Sequence, residues 1–481
     1  MSRFSRTISQ FPKTFWVANT MELFERWAWY GIFTVLALYL TGSKDTGALG
    51  FSQVQKGYLM GSIVAILYSL PVITGAIADK FGYKKVLLVS YVILASGYLM
   101  MGVFTSYAAM YFVFLYVAVG AALFKPVISA TVAKTTNNET SSLGFGIFYM
   151  MVNIGAFIAP LVSSNLRSNS WDLVFVMSAS VIVVNFILVL FFYKEPEREK
   201  NTEPLGRSIL TILKNILTTL ADYKFLIFLI IIIGFWSMYN QLFYSLPVFI
   251  HQWIDTTAIY NAIESFSPWL ASILGTEEGI INPEVLSDLD AFYIIIFQVL
   301  VSTLVMKFKP LNTMMVGILI NAIGLGLTFY TNNAFFLFFS LLIFAVGEMS
   351  SSPKITEYIG RIAPKEKIGL YMGASFIPMA GGNFFAGILS GDVYGAMSDK
   401  LTLLQKDVAS RGLSIPEISE NFTQNDYINK ACELMGYNHA ELTDYLWTTY
   451  HPSNIWFVFA GIGLGTVIIL WLYDKLLLRK K

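Results

Sequence analysis

FWVANTMELFERWAWYGIFTVLALYL, Phe15–Leu40, is a nearly unbroken apolar run whose only charges are Glu22, Glu25 and Arg26. About 20 apolar residues cross a hydrocarbon core roughly 30 Å thick, so the run is long enough to span a bilayer as a helix. Three charges inside the apolar region are not expected of a cleavable leader peptide, so this start of the chain is expected to be mature sequence. Positions 22, 25 and 26 are related by helical spacings of three and four, which places the charges on one face. A charge at mid-bilayer costs at least about 2.5–3.5 kcal/mol on insertion scales, so that face must meet a bundle interior or a wet cavity.

The rest of the chain follows the same pattern. Of 481 residues, 56% are hydrophobic and 13% charged, against roughly 45–50% and about 25% in soluble domains. A formal charge of +1 argues against a nucleic-acid partner, which would demand a surplus of Lys and Arg. The single cysteine, Cys432, excludes an intrachain disulfide. His251, His439 and His451 are too scattered to form a metal-ligand set. No nucleophile–base set or phosphate loop stands out, so an enzyme is not expected.

Twelve spans are expected, near 14–40, 54–78, 84–104, 107–132, 142–165, 171–193, 224–252, 289–307, 310–331, 334–358, 368–391 and 453–475. The fold class is therefore an all-α integral membrane protein, multi-pass in the lipid bilayer. Placing the N-terminal Arg3, Arg6 and Lys13 in the cytoplasm puts most other Lys and Arg on that side, including Lys80, Lys84, Lys85 and the C-terminal Lys475, Arg479, Lys480 and Lys481. Both termini are then cytoplasmic. The loop 254–290 falls on the other face; it carries Asp255, Glu264, Glu277, Glu278, Glu284, Asp288 and Asp290 and no Lys or Arg.

Three segments follow from this reading: an N-terminal six-span bundle over 1–193, a cytoplasmic linker over 194–223, and a C-terminal six-span bundle over 224–481. Within the linker Ile209, Leu210, Ile212, Leu213, Ile216, Leu217 and Leu220 recur at helical spacing, which predicts an amphipathic helix along the membrane surface. The C-terminal bundle holds an outside-facing insertion at 392–452, expected as a helical hairpin. Nothing in the sequence specifies an oligomeric state.

The two halves echo each other, as in carriers built from repeats. Span four holds Lys125-Pro126 and span ten holds Glu348 and Pro353. Lys125 is the mid-membrane cation available to balance Glu22, Glu25 and Arg26, so these four are expected to form one network on a central cavity. Such a set can bind a zwitterion: a carboxylate suits Arg26 and Lys125, and an ammonium suits Glu348. Trp29, Tyr30, Tyr68, Tyr149 and Trp236 are candidate aromatic walls. If Arg26 and Lys125 exchange partners between glutamates and substrate, a released glutamate takes a proton, and binding and protonation are linked.

ELFERWAWYG (Glu22–Gly31), FKP (Phe124–Pro126), FYMMVNIGAFIAP (Phe148–Pro160), GEMSSSP (Gly347–Pro353) and GNFFAG (Gly382–Gly387) resemble motifs of the proton-coupled oligopeptide transporter family. GAIADKFGYKK (Gly75–Lys85) resembles the helix two–three signature of the wider major facilitator superfamily. The resemblance implies two six-helix bundles working by alternating access, uptake of di- and tripeptides driven by protons, and location in the cell inner membrane. No cofactor is implied beyond the proton as coupling ion. Glu22, Glu25, Arg26 and Lys125 would be the coupling and carboxylate-binding set. Tyr30, Tyr68, Tyr149 and Asn153 would line the pocket, Glu348 would meet the peptide amine, and Asp79 would belong to the cytoplasmic gate. Three positions depart from the family: Asn240 stands where an acid is common, Trp29 where a tyrosine is usual, and Ser375 where a tryptophan is common. Trp236, Asn240 and Ser375 complete the expected substrate-binding set. These departures leave open an alternative, the same fold and proton coupling with another small zwitterionic or anionic substrate.

Overall fold

The structure, a computed structural model, describes residues 8–137, 140–197 and 203–478. Arg3 and Arg6, linker residues 198–202, and Arg479, Lys480 and Lys481 lie outside the described residues. Among the described residues every regular element is a helix, apart from one isolated β-bridge between Gly275 and Ile281. Helices satisfy their backbone groups internally, which is what hydrocarbon demands of a spanning segment.

Among the described residues twelve helical segments correspond to the twelve expected spans. The first six are α1 (Lys13–Thr41), α2 (Gln53–Ser69, continued by Pro71–Phe81), α3 (Tyr83–Val103), α4 (Tyr107–Lys134), α5 (Ser141–Arg167) and α6 (Trp171–Phe191). The last six are α7 (Tyr223–Tyr239, continued by Gln241–Tyr244), α8 (Leu289–Val305), α9 (Pro310–Leu327), α10 (Phe336–Ile362), α11 (Ile368–Ala374 and Phe376–Ile388) and α12 (Asn454–Tyr473). Ten helices are long and apolar enough to cross a membrane unaided, and α2 adds an eleventh as a pair bent by 49° where Pro71 begins its second piece. The twelfth, α1, falls outside that group; Lys13, Glu22, Glu25 and Arg26 all lie within it.

By packing, the chain divides into two compact units that interleave along the sequence. One comprises Met1–Phe33, Ile63–Asp222 and Gly369–Ala380; the other comprises Thr34–Ser62, Tyr223–Ile368 and Gly381–Lys481. Thus α1 and α2 each contribute one part to each unit. In the first unit α3 packs on α4 and α6, with Ser90 Oγ donating to Gly120 O at 2.7 Å. Two buried polar side chains fix α1 in that unit: Ser163 Oγ donates to Gly31 O at 2.6 Å, and Asn185 Nδ2 to Met21 O at 2.9 Å. The turn between α2 and α3 requires Gly82, whose φ of 103° is costly for any residue with a Cβ. Glu195 caps the start of α3 there, accepting from Tyr83 N at 2.9 Å.

The linker helix, Leu205–Leu220, packs on Pro71–Phe81 and leaves Leu210, Leu213 and Leu217 exposed as an apolar row. These lie within the apolar series expected of an amphipathic surface helix.

In the second unit α9 packs closely on α10 and α12. The α9–α10 contact depends on residues with no side chain. A Cβ on Gly324 would lie 2.4 Å from Phe344 N, and one on Gly347 would lie 2.2 Å from Asn321 N. Asn321 Nδ2 donates to Phe344 O at 2.9 Å across the same seam. A second glycine seam joins α2 to α11: a Cβ on Gly57 would lie 2.2 Å from Gly387 O, and one on Gly61 2.8 Å from Gly387 Cα. Beside it Lys56, fully buried, donates to Tyr244 O at 2.8 Å, and Asp399 accepts from Gln53 and Gln252 at 2.9 and 2.8 Å.

The two regions read as outer loops are more structured than expected. Residues 254–290 contain helices Thr257–Phe266, Pro268–Leu274 and Pro283–Ser287. The 392–452 insertion is not a hairpin. Beyond α11 the chain runs through a π-turn, Leu389–Val393, and Tyr394–Met397 into three helices, Lys400–Ser410, Gln424–Met435 and His439–Tyr450. Capping boxes at Thr423/Asp426 and Asn438/Glu441 start the second and third. The insertion is tied to the loop after α1, where Asn425 Nδ2 donates to Asp45 Oδ2 at 2.8 Å and Asn425 N to Ser43 Oγ at 3.2 Å. Although partial burial opposes it, hydrogen bonds from Ser43 and Asn425 hold the Asp45 carboxyl below its ordinary value.

Gly324→Val forces backbone apart at the α9–α10 seam and is expected to cost about 1–3 kcal/mol, read as a lower melting temperature of the detergent-purified protein. Gly360→Ala, on the same helix pair but facing open space, is the control and leaves melting unchanged or slightly raised.

Candidate functional site

The first unit builds an ion cluster on α1. Arg26 reaches back one turn to Glu22, Nε to Oε1 at 3.3 Å, and sideways to Glu25, donating from Nε to Oε2 at 2.6 Å with a second contact from the guanidinium terminus. All three are buried, at 5%, 0% and 7% exposure for Glu22, Glu25 and Arg26. A planar fork of donors suits this task, since one guanidinium can hold two carboxylates where an ammonium holds one point. Close helix contact seals the cluster: a Cβ on Gly155 of α5 would lie 2.5 Å from Leu23 O and 2.9 Å from Arg26 Cβ.

Lys125 joins from α4. Its ammonium lies 4.6 Å from the centre of the Tyr68 ring and acts electrostatically on Glu22, a cation held over an aromatic face. Tyr30 acts on Arg26 from the next turn of α1. Tyr149 and Asn153 follow on α5, with Asn153 Nδ2 bonded to Tyr149 O at 2.7 Å and the Tyr149 side chain 51% exposed. Ser375 belongs to the same unit, at the break between the two pieces of α11, where its hydroxyl donates to Met372 O at 2.6 Å. Asp79 sits on the exposed face at the end of α2 and accepts from Tyr83 Oη at 3.1 Å. Trp29 is buried and stacks on Phe33 and Phe114 at 5.2 and 6.2 Å between ring centres.

In the second unit Glu348 of α10 accepts a hydrogen bond from Tyr239 of α7 and stands against Asp290 of α8. Trp236 and Asn240 flank Tyr239 on α7; Trp236 packs edge-on to Tyr239 at 5.3 Å, and Asn240 is buried with its amide bonded to Trp236 O at 2.7 Å. Sequence reasoning missed Tyr239 and Asp290, and it counted Asp288 and Asp290 among outer-loop acids. The structure instead puts them at the inner edge of that loop, where α8 begins, with Asp290 only 4% exposed. Lys354 and Glu357, lower on α10, pair locally at 2.7 Å as their spacing permits.

If all four ions in the first unit are charged, two carboxylates and two cations sum to zero. Such a cluster is stable in a membrane yet cannot accept another anion without taking up a proton, because the extra charge would be uncompensated. The second unit supplies carboxyl groups and a phenol in place of cations.

The chain is a multi-pass helical protein with ions placed inside its spans. A family model described as Major Facilitator Superfamily matches residues 20–276, more than half of the chain, and the chain belongs to that superfamily. Among curated proteins it is similar to the dipeptide and tripeptide permease A of Pectobacterium carotovorum subsp. carotovorum, 28% identical over 274 residues, 55% of this chain and 50% of that one. It is also similar to that of Citrobacter koseri, 24% identical over 435 residues, 79% of this chain and 84% of that one. The chain spans about half the length of the curated relatives it matches at higher identity. Among solved structures it resembles a POT family transporter in complex with a thioalcohol-conjugated peptide, with a TM-score of 0.70 at 16% identity over 98% of this chain and 99% of that one.

Arg26→Gln strands the buried carboxylate of Glu25 and is expected to destabilise the protein by roughly 3–5 kcal/mol, seen as earlier aggregation on heating in detergent. Adding Glu25→Gln to that variant should recover part of the loss, and Arg26→Lys should not restore it fully.

Proposed function

We propose that this chain is a proton-coupled importer of di- and tripeptides, a member of the proton-coupled oligopeptide transporter family working by alternating access, in the cell inner membrane with both termini cytoplasmic. The observation that carries the reading is the cluster of Glu22, Glu25 and Arg26 buried in α1, with the half-buried Lys125 of α4 acting on Glu22. A peptide's carboxylate drawn to Lys125 and Arg26 adds one negative charge to a balanced set, and a proton on Glu22 restores the balance. Substrate and proton therefore stabilise each other's binding. A membrane potential adds about 2.3 kcal/mol per charge per 100 mV to inward movement. The peptide's ammonium goes to the carboxyls at Glu348, and Tyr30, Tyr68 and Trp236 supply apolar walls with polar tips. The curated relatives named as dipeptide and tripeptide permeases favour peptides over another small zwitterion. The proton is the coupling ion, no further cofactor is needed, and the chain acts as a carrier rather than an enzyme.

The test is uptake of dialanine into proteoliposomes with and without an inward proton gradient. Wild-type protein accumulates it only with the gradient. Glu22→Gln abolishes accumulation but keeps counterflow exchange, because the fixed neutral side chain no longer releases a proton; Lys125→Ala weakens dialanine binding by about tenfold or more. Gradient-driven uptake of a different solute with no transport of any peptide would overturn the reading.

A further inference from the structure

Asp290, at the start of α8, is an acid in an unusual place. It is 4% exposed, and its Oδ1 meets no hydrogen-bond donor among the described residues. Glu348 Oε2 on α10 is likewise buried and without a donor. The helices that carry them, α8 and α10, pack on each other, and each carboxyl acts directly on the other. Two ionised carboxylates offer only acceptors, so a bond between them contains one proton. Asp290 also lines a cavity of about 30 Å³, together with Thr34, Glu284, Ser287 and Asp288. That is space for a water molecule.

The surrounding groups do not supply a cation instead. Those acting on Asp290 are Glu348 and Asp288, and those acting on Glu348 are Asp290 and Tyr239. Glu284, fully buried, adds another acid to the cavity wall. Tyr239 contributes a phenol hydroxyl, which is a hydrogen-bond donor and not a cation. Among the described residues no group of three His, Cys, Asp or Glu has metal-binding geometry.

We propose that Asp290 and Glu348 form a single proton-binding site, in which one proton held between the two carboxyls leaves the pair with one negative charge to receive the substrate's ammonium group. The proton sits on Asp290 when an ammonium docks at Glu348, so Asp290–H donates to the Glu348 carboxylate and the carboxylate accepts from the ammonium. No bond to carbon changes, and the pair plus ammonium is neutral. Asp290 thereby becomes a substrate-positioning residue on α8, in a half of the molecule where Asn240 leaves α7 without an acid. The assignment of the ammonium rests on the peptide-carrier reading above; the shared proton does not.

Infrared difference spectroscopy on the purified full-length protein in nanodiscs reads that proton without requiring transport. The wild-type spectrum at neutral pH should contain a protonated-carboxyl component that shifts in deuterium oxide. Asp290→Asn and Glu348→Gln should each remove this same component, while Asp288→Asn and Glu22→Gln leave it. If Asp290→Asn does not fold, the Glu348→Gln spectrum together with wild-type titration carries the test. A component that survives both substitutions, or that sodium or calcium abolishes in the wild type, overturns the proposal, the second result making the pair a metal site. Adding dialanine should perturb the component in the wild type. Its presence without any dialanine response would retain the shared proton and refute the peptide assignment alone.

Discussion

The structure depends on one constraint: an arginine and two glutamates have been placed in a helix that must live in hydrocarbon. Arg26 can remain charged there only because Glu22 and Glu25 are within reach of one guanidinium, and the pair of glutamates can remain only because Lys125 brings the second positive charge. Neighbouring features serve that arrangement. Gly155 lets α5 approach the backbone at Arg26, and Asn185 and Ser163 bind α1 carbonyls that flank the cluster. Buried ions held this tightly are a poor source of stability against an apolar alternative. Their retention is better explained by a task that requires charge to be rearranged.

The two units differ in chemistry. One holds Arg26 and Lys125 among carboxylates; in the other, the groups that act on Glu348 among the described residues are Asp290 and Tyr239.

Much of this was legible in the sequence, and the legible part has a common physical origin. A charge inside a long apolar run is improbable unless it is used, so Glu22, Glu25, Arg26, Lys125 and Glu348 announced themselves. The twelve spans were equally plain, because hydrophobic length is a coarse property that local detail does not blur. Residues at the ends of spans were not legible. Asp290 and Lys56 lie where acids and lysines are ordinary interfacial residues, and only packing reveals that both are buried. Aromatic residues were ambiguous for another reason: in helices apolar on every side, periodicity does not say which ring faces a cavity. Trp29 stacks inside the bundle while Tyr30, its neighbour, turns toward Arg26. The insertion at 392–452 was undercounted by one helix because its third segment, His439–Tyr450, has little apolar contrast along its length.

The composition of α1 also has a consequence for biogenesis. On insertion scales each mid-helix charge adds roughly 2.5–3.5 kcal/mol, while an apolar residue such as Leu or Phe returns about 0.3–0.6. Three charges therefore outweigh what the segment's Leu, Ile, Phe and Val residues provide, and the helix is a poor substrate for the translocon by itself. Its neutralising partner on α4 and its carbonyl partners on α5 and α6 are synthesised later. This helix is thus among the segments least able to settle in lipid alone, and its final placement in the bilayer must await helices that do not yet exist when it emerges.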